Sequence, residues 1–219
     1  MTPDYERAAI KATEILIQYG ISTTPIDPLP IIKKTPGVFV MTFEEISKRS
    51  NIDRCEVINA VGNQNQDAVT TVFLEGDERR YIVAYNKLLS SKYVDRALAR
   101  ELGHIILGHD GTKPEEVRNA EARCFAHHLL CPRALIHSIQ AIGIRLTVEM
   151  LGNITGCYDY CLSCMRKQPP VNVPAELNRK IRDQLMPYIK NLFDYLRYAS
   201  RKDGSALADL GNYMEGYVE

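Results

Sequence analysis

The sequence predicts an α+β fold, mainly helical, with a small antiparallel sheet and a C-terminal helical extension. Three observations carry that reading. Tyr5, Ala9, Ala12, Leu16 and Tyr19 recur at spacings of 4, 3, 4 and 3, which is one face of an amphipathic helix. Two β-rich runs, 69–74 and 80–85, flank Glu75-Gly76-Asp77-Glu78 in the pattern of an antiparallel hairpin. Leu177, Ile181, Leu185, Ile189, Leu192 and Leu196 mark a long helix toward the C-terminus.

Taken in order, the first helix closes at Gly20, a residue that accepts the left-handed backbone of a helix end. Pro25-Ile26-Asp27-Pro28-Leu29-Pro30 cannot extend it, since each proline removes a donor, and reads as a turn into a short helix and then a strand at 38–41. Thr42 with Glu45 three residues on predicts a capping box and another short helix. After the hairpin, Val94, Leu98, Leu102, Ile105 and Ile106 form the apolar stripe of a helix from Tyr93 to about Gly108. Thr112 and Glu115 repeat the capping-box pattern, with Pro114 in the first turn, and start a helix that runs to Leu130, ahead of Cys131-Pro132. Beyond Gly143 come short helices at 147–151 and about 156–167. A Gln168-Pro169-Pro170 break precedes the long helix, which Asn172 and Pro174 open and Pro187 is expected to kink.

Composition narrows the function classes. The 219 residues are 45% hydrophobic and 25% charged, as in an ordinary globular protein, and 27 basic side chains balance 27 acidic ones. Zero net charge supplies no general attraction to nucleic acid or to an anionic membrane. The charged start, Met1-Thr2-Pro3-Asp4-Tyr5-Glu6-Arg7, lacks the apolar core of a signal peptide, and no apolar run approaches the ~20 residues of a membrane span. The expectation is a cytoplasmic protein whose six cysteines, Cys55, Cys124, Cys131, Cys157, Cys161 and Cys164, are thiols.

The chemistry concentrates in Arg100-Glu101-Leu102-Gly103-His104, an HExxH helix with its first histidine replaced. In the intact motif two histidines four residues apart bind zinc from one helical face, and the glutamate deprotonates the metal-bound water. A guanidinium has no lone pair to offer a metal and stays charged at any physiological pH. Such a site needs a third ligand from a second helix, and Glu121, seventeen residues after His104, sits where one is wanted.

Arg96 to His109, followed by Glu121-Ala122, Phe125-Ala126 and Leu129-Leu130-Cys131-Pro132, resembles the ImmA/IrrE family of zinc metallopeptidases. In that family an AHELGH helix precedes an EA-xx-FA-xx-LLMP helix. Tyr85-Asn86 at the end of a hairpin strand adds to the likeness, which spans roughly residues 10–132 and continues more vaguely to about 166. The resemblance implies a zincin-like peptidase domain over 1–142, which the pattern of residues follows with a helical extension over 143–203 and an acidic tail over 204–219. It implies zinc as cofactor, with Glu101 as general base and His104 and Glu121 as ligands. The implied ancestral reaction is endoproteolysis of a helix-turn-helix transcriptional repressor, often encoded in a prophage or mobile element. With Arg100 at the missing-ligand position, zinc is expected to bind weakly or not at all, and activity to be reduced or lost.

Three outcomes stay open at this level. Arg100 pairs bidentately with Glu121 or Glu101 and stands in for the metal; or Cys124, one turn from Glu121, substitutes as ligand, with His128 a poorer candidate; or the arginine marks a simple loss from an active parent. The rival to a peptidase is a non-enzymatic module whose cleft binds and sequesters a repressor or another regulatory protein.

Other residues have plainer readings. His109 fits a helix end, His127 and His128 fit solvent-edge positions, and Cys131 fits a small core residue. Cys157, Cys161 and Cys164 stack on one helical face, but with no obvious fourth ligand they read as buried packing. The apolar face of the long helix packs either on the domain or on a second copy, as a homodimer, and its basic residues read as a solvated face.

Overall fold

In the computed structural model, which describes residues 1–60, 67–141, 146–157 and 171–202, side-chain caps set where several helices begin. Helix α1 (Tyr5–Gln18) starts where the Asp4 carboxylate accepts the Arg7 N–H, and α2 (Pro28–Lys34) where Asp27 accepts from Leu29 N–H. Strand β1 (Val38–Thr42) runs into α3 (Phe43–Ser50) through the expected capping box of Thr42 and Glu45. There follow α4 (Arg54–Ala60), β2 (Ala68–Glu75), β3 (Glu78–Tyr85), α5 (Ser91–Ile106) and α6 (Glu115–Leu130). The last elements are α7 (Arg133–Ala141), α8 (Val148–Thr155), capped by Thr147, and α9 (Ala175–Lys202). Two short helices, α4 and α7, were not among those expected from the sequence.

The capping box expected at Thr112 and Glu115 is not what starts α6. The Thr112 hydroxyl and N–H both donate to Asp110, at 2.7 and 3.1 Å. This local Asx turn competes successfully for the group that would have capped the helix.

The chain divides into two compact units. One comprises Met1–Pro3 and Asp27–Ala126 and holds a three-stranded sheet of order β1-β3-β2. The predicted hairpin is there, antiparallel, with Gly76 at φ +63° in its tight turn. The sheet as a whole is mixed, not antiparallel, because β1 pairs with β3 in parallel. The connection through α3, α4 and β2 returns the chain so that β3 runs in the direction of β1.

Residues in register share a face. Val40, Val83 and Thr70 point one way, and α5 packs on both β2 and β3. On the opposite face Ala84 and Val69 meet Phe43 and Val57 of α3 and α4. Fully buried Ile31, Ile32, Leu98 and Leu102 complete this core, where α2 packs on α5.

Gly103 sits on the side of α5 that meets α6. A Cβ there would lie 3.1 Å from both the Ala122 carbonyl oxygen and a Phe125 ring carbon. The motif glycine therefore lets the two helices approach backbone to side chain.

The second unit contains Asp4–Ile26 and the described residues from His127 onward. Here α9 lays Ile181, Leu185, Ile189 and Leu192 into the interior and packs on α1 and α7. Gln184 donates to the carbonyls of Leu16 and Ile21, and Thr24 donates to the Tyr188 hydroxyl at 2.9 Å. The stretch of the apolar stripe from Ile181 to Leu192 is thus covered within its own chain. Helix α9 runs continuously through Pro187.

Cys131 is buried beside Leu151, as expected of a small core residue. His128, expected at a solvent edge, is buried instead, because α6 from Ala122 onward is enclosed on nearly every side. Cys157 is buried and Cys55 exposed, while Cys161, Cys164, most of the predicted 156–167 helix and the acidic tail lie outside the described residues. No described helix is long and apolar enough to cross a membrane.

Two predictions follow from this packing. Gly103→Ala should lower stability by about 1–3 kcal/mol in chemical denaturation, since the new methyl meets backbone and an aromatic ring that cannot both yield. Asp95 on α5 is pushed up to about 7, first by burial and then by the Asp27 carboxylate, from an ordinary 3.8. The folded protein holds this proton where the unfolded chain has lost it, so the stability it contributes is complete below about pH 4 and lost as pH rises to about 7. Asp95→Asn should therefore raise the melting temperature at pH 8 and leave it unchanged near pH 4.

Candidate functional site

The motif-bearing half of α5 and the start of α6 face each other across a cleft of about 660 Å³, with β2 forming a third wall. Thr70, Arg100, Glu101, His104, His109 and Arg118 line it, all within the first unit. Because α5 places residues three and four apart on one face, Arg100, Glu101 and His104 project to the same side.

Glu101 is buried, and its Oε2 accepts a 2.8 Å hydrogen bond from the Thr70 hydroxyl on β2. Arg100 Nε lies 3.5 Å from its Oε1. Burial pushes the Glu101 carboxyl up, while Thr70 and the Arg100 cation pull it partway back.

A pairing of Arg100 with Glu101 was one of the sequence-based expectations. The structure brings the two together through Arg100 Nε and Glu101 Oε1. Glu121 has a different cation. Lys113 Nζ donates to both of its oxygens, at 2.8 and 2.9 Å.

His109, read from sequence as a helix end, is the link between the two helices. Its Nε2 lies 2.9 Å from Glu121 Oε2 and its Nδ1 2.9 Å from His104 Nδ1, with the two rings edge to face. Its side chain is only 2% exposed.

Burial lowers His104 to about 4, helped by the charges at His109, Arg100 and Arg118. Burial also lowers His109, against the opposing pull of Glu121. Both rings are therefore neutral at pH 7, and the network then assigns their protons. His109 Nε2–H donates to Glu121, so its Nδ1 accepts from His104 Nδ1–H, and His104 Nε2 carries a lone pair.

Neither His109 nor Lys113 was legible as a site residue. The one available signal for His109 was its position five residues after His104 at the mouth of the helix, and for Lys113 its place in the loop ahead of Glu121.

A tetrahedral zinc needs its donors to face one point at about 2.0–2.2 Å. Here the His109 ring lies between His104 and Glu121 and commits one nitrogen to each, and an ammonium grips the carboxylate. Among the described residues no three His, Cys, Asp or Glu side chains are arranged to hold a metal ion, and buried Cys124 does not complete such a group. The donors as arranged do not fit zinc.

The buried state of Glu101 yields a prediction. Glu101→Gln removes a carboxyl that burial disfavours as an anion while leaving an oxygen for Thr70, so it should melt about 2–4 °C above the parent chain at pH 7. A calorimetric scan of the two proteins reads this directly.

Residues 57–147 match the Peptidase_M78 family, described as the IrrE N-terminal-like domain. The match covers β2, β3, α5 and α6, the elements that build the cleft. No curated protein and no solved structure matches the chain.

Proposed function

We propose that this chain, whose residues 57–147 match the IrrE N-terminal-like domain of the Peptidase_M78 family, is a silenced zincin-like metallopeptidase, one that keeps the cleft of a peptidase without its zinc-dependent cutting. Arg100 carries the reading. A permanent cation with no lone pair stands at the position of the first zinc ligand, in contact with the carboxylate that would serve as base. A ligand set reduced in this way, with positive charge added, disfavours a divalent ion twice over.

What survives is a binding cleft. It is polar, walled by β2 on one side and by Arg118, Asn119 and Arg123 of α6 on the other. Its occupant under this reading is a segment of a regulatory protein, a helix-turn-helix repressor by family resemblance, held and sequestered instead of cleaved. Glu101, His104 and Glu121 keep the positions of the family's base and ligands while doing structural work.

The test uses the purified chain, loaded with zinc and desalted, beside the helix-turn-helix repressor encoded nearest its gene. Zinc should remain far below one per chain, the repressor should stay intact, and Glu101→Gln should still bind it. Chelator-sensitive cleavage that Glu101→Gln abolishes would overturn the proposal.

A further inference from the structure

Arg100 is not the only obstacle to a metal, and we infer that Lys113 is the resident cation of this site, a second lock on zinc that acts independently of Arg100. The inference rests on the silenced-member reading and extends it to a residue outside the motif. Its basis is the state of Glu121, the residue on α6 that would supply the third ligand. That carboxylate is 1% exposed, and both of its oxygens already accept from Lys113 Nζ, at 2.8 and 2.9 Å. One of them also accepts from His109. A zinc ion reaching either oxygen would lie within about 4–5 Å of a full positive charge in a poorly screened place, so the ammonium has to leave before the metal can stay.

The lysine is held there by its own loop. The Lys113 carbonyl accepts from Arg118 Nε at 3.1 Å, and the Pro114 carbonyl accepts from the N–H groups of Val117 and Arg118. Upstream, Asp110 binds Thr112 through both hydroxyl and N–H and lies 3.6 Å from Arg79. Gly111, at φ +91°, supplies the turn between them. None of these contacts involves Arg100, so restoring a histidine at position 100 leaves the lock in place. The His109 bridge to His104 is part of the same closed arrangement, because its Nε2 shares the carboxylate that Lys113 neutralises.

The experiment compares four full-length proteins: the parent chain, Arg100→His, Lys113→Met, and the double variant R100H/K113M. Zinc affinity is read by competition against a chromophoric chelator, stoichiometry by elemental analysis after desalting, and melting temperature with and without zinc. Arg100→His alone should hold zinc weakly. The double variant should bind one zinc about 10–100-fold more tightly and gain melting temperature on adding zinc. R100H/K113R, which keeps the cation, should behave like Arg100→His.

Equal zinc affinity in Arg100→His and R100H/K113M would overturn the inference. Lys113→Met leaves a buried carboxylate without its cation, so if it does not fold, Lys113→Gln, which still donates a hydrogen bond without charge, carries the same expectation. Stoichiometric zinc in the parent chain would instead sink the silenced-member reading. The lock would then stand or fall on whether the Lys113 variant binds more tightly than the parent.

Discussion

A carboxylate that is 1% exposed must find its compensation where it lies, and the arrangement around Glu121 follows from that requirement. Lys113 supplies charge and His109 supplies a hydrogen bond, and His109 in turn ties α6 to His104 on α5. The loop from Leu107 to Pro114 takes its course accordingly. It must leave α5, present an imidazole and an ammonium to one carboxylate within a few residues, and enter α6. Its glycines at 108 and 111, both at positive φ, make that path sterically accessible.

The same requirement explains why the two helices need to be close. One imidazole spans the gap between His104 and Glu121, and α5 presents Gly103 to α6 where a Cβ would make tight contacts of 3.1 Å. The sheet contributes the other half of the support. Thr70, in register with buried Val83, donates to Glu101 and holds it against the wall of the cleft. Charge within the site is therefore satisfied internally, Glu101 with Thr70 and Arg100, Glu121 with Lys113 and His109. Two side-chain cations, Arg100 and Lys113, supply the positive charge of that compensation.

Local order along the chain was legible because it rests on short-range rules. Thr42 caps α3 as its spacing to Glu45 indicates, the 69–74 and 80–85 runs pair as a hairpin, and the stripe through Leu98 and Leu102 faces the core. Thr112 shows where that logic stops. A capping signal and an Asx turn compete for one hydroxyl, and nearby Asp110 decides the outcome. The burial of His128 was missed for a different reason, since a helix packed on most of its circumference has no single stripe to read.

By itself the sequence determined the mainly helical α+β class, the family resemblance, and the chemical fact that a guanidinium replaces an imidazole at position 100, because these depend on residue identity and spacing. Tertiary structure alone decided that β1 joins β3 in parallel, that α9 covers α1 and α7, and that Glu121 is neutralised by Lys113 rather than by Arg100. It also turned His109 from a helix end into the bridge between two helices. Each of these is a contact between segments whose approach is set by packing, and nothing in either segment taken alone encodes the distance between them.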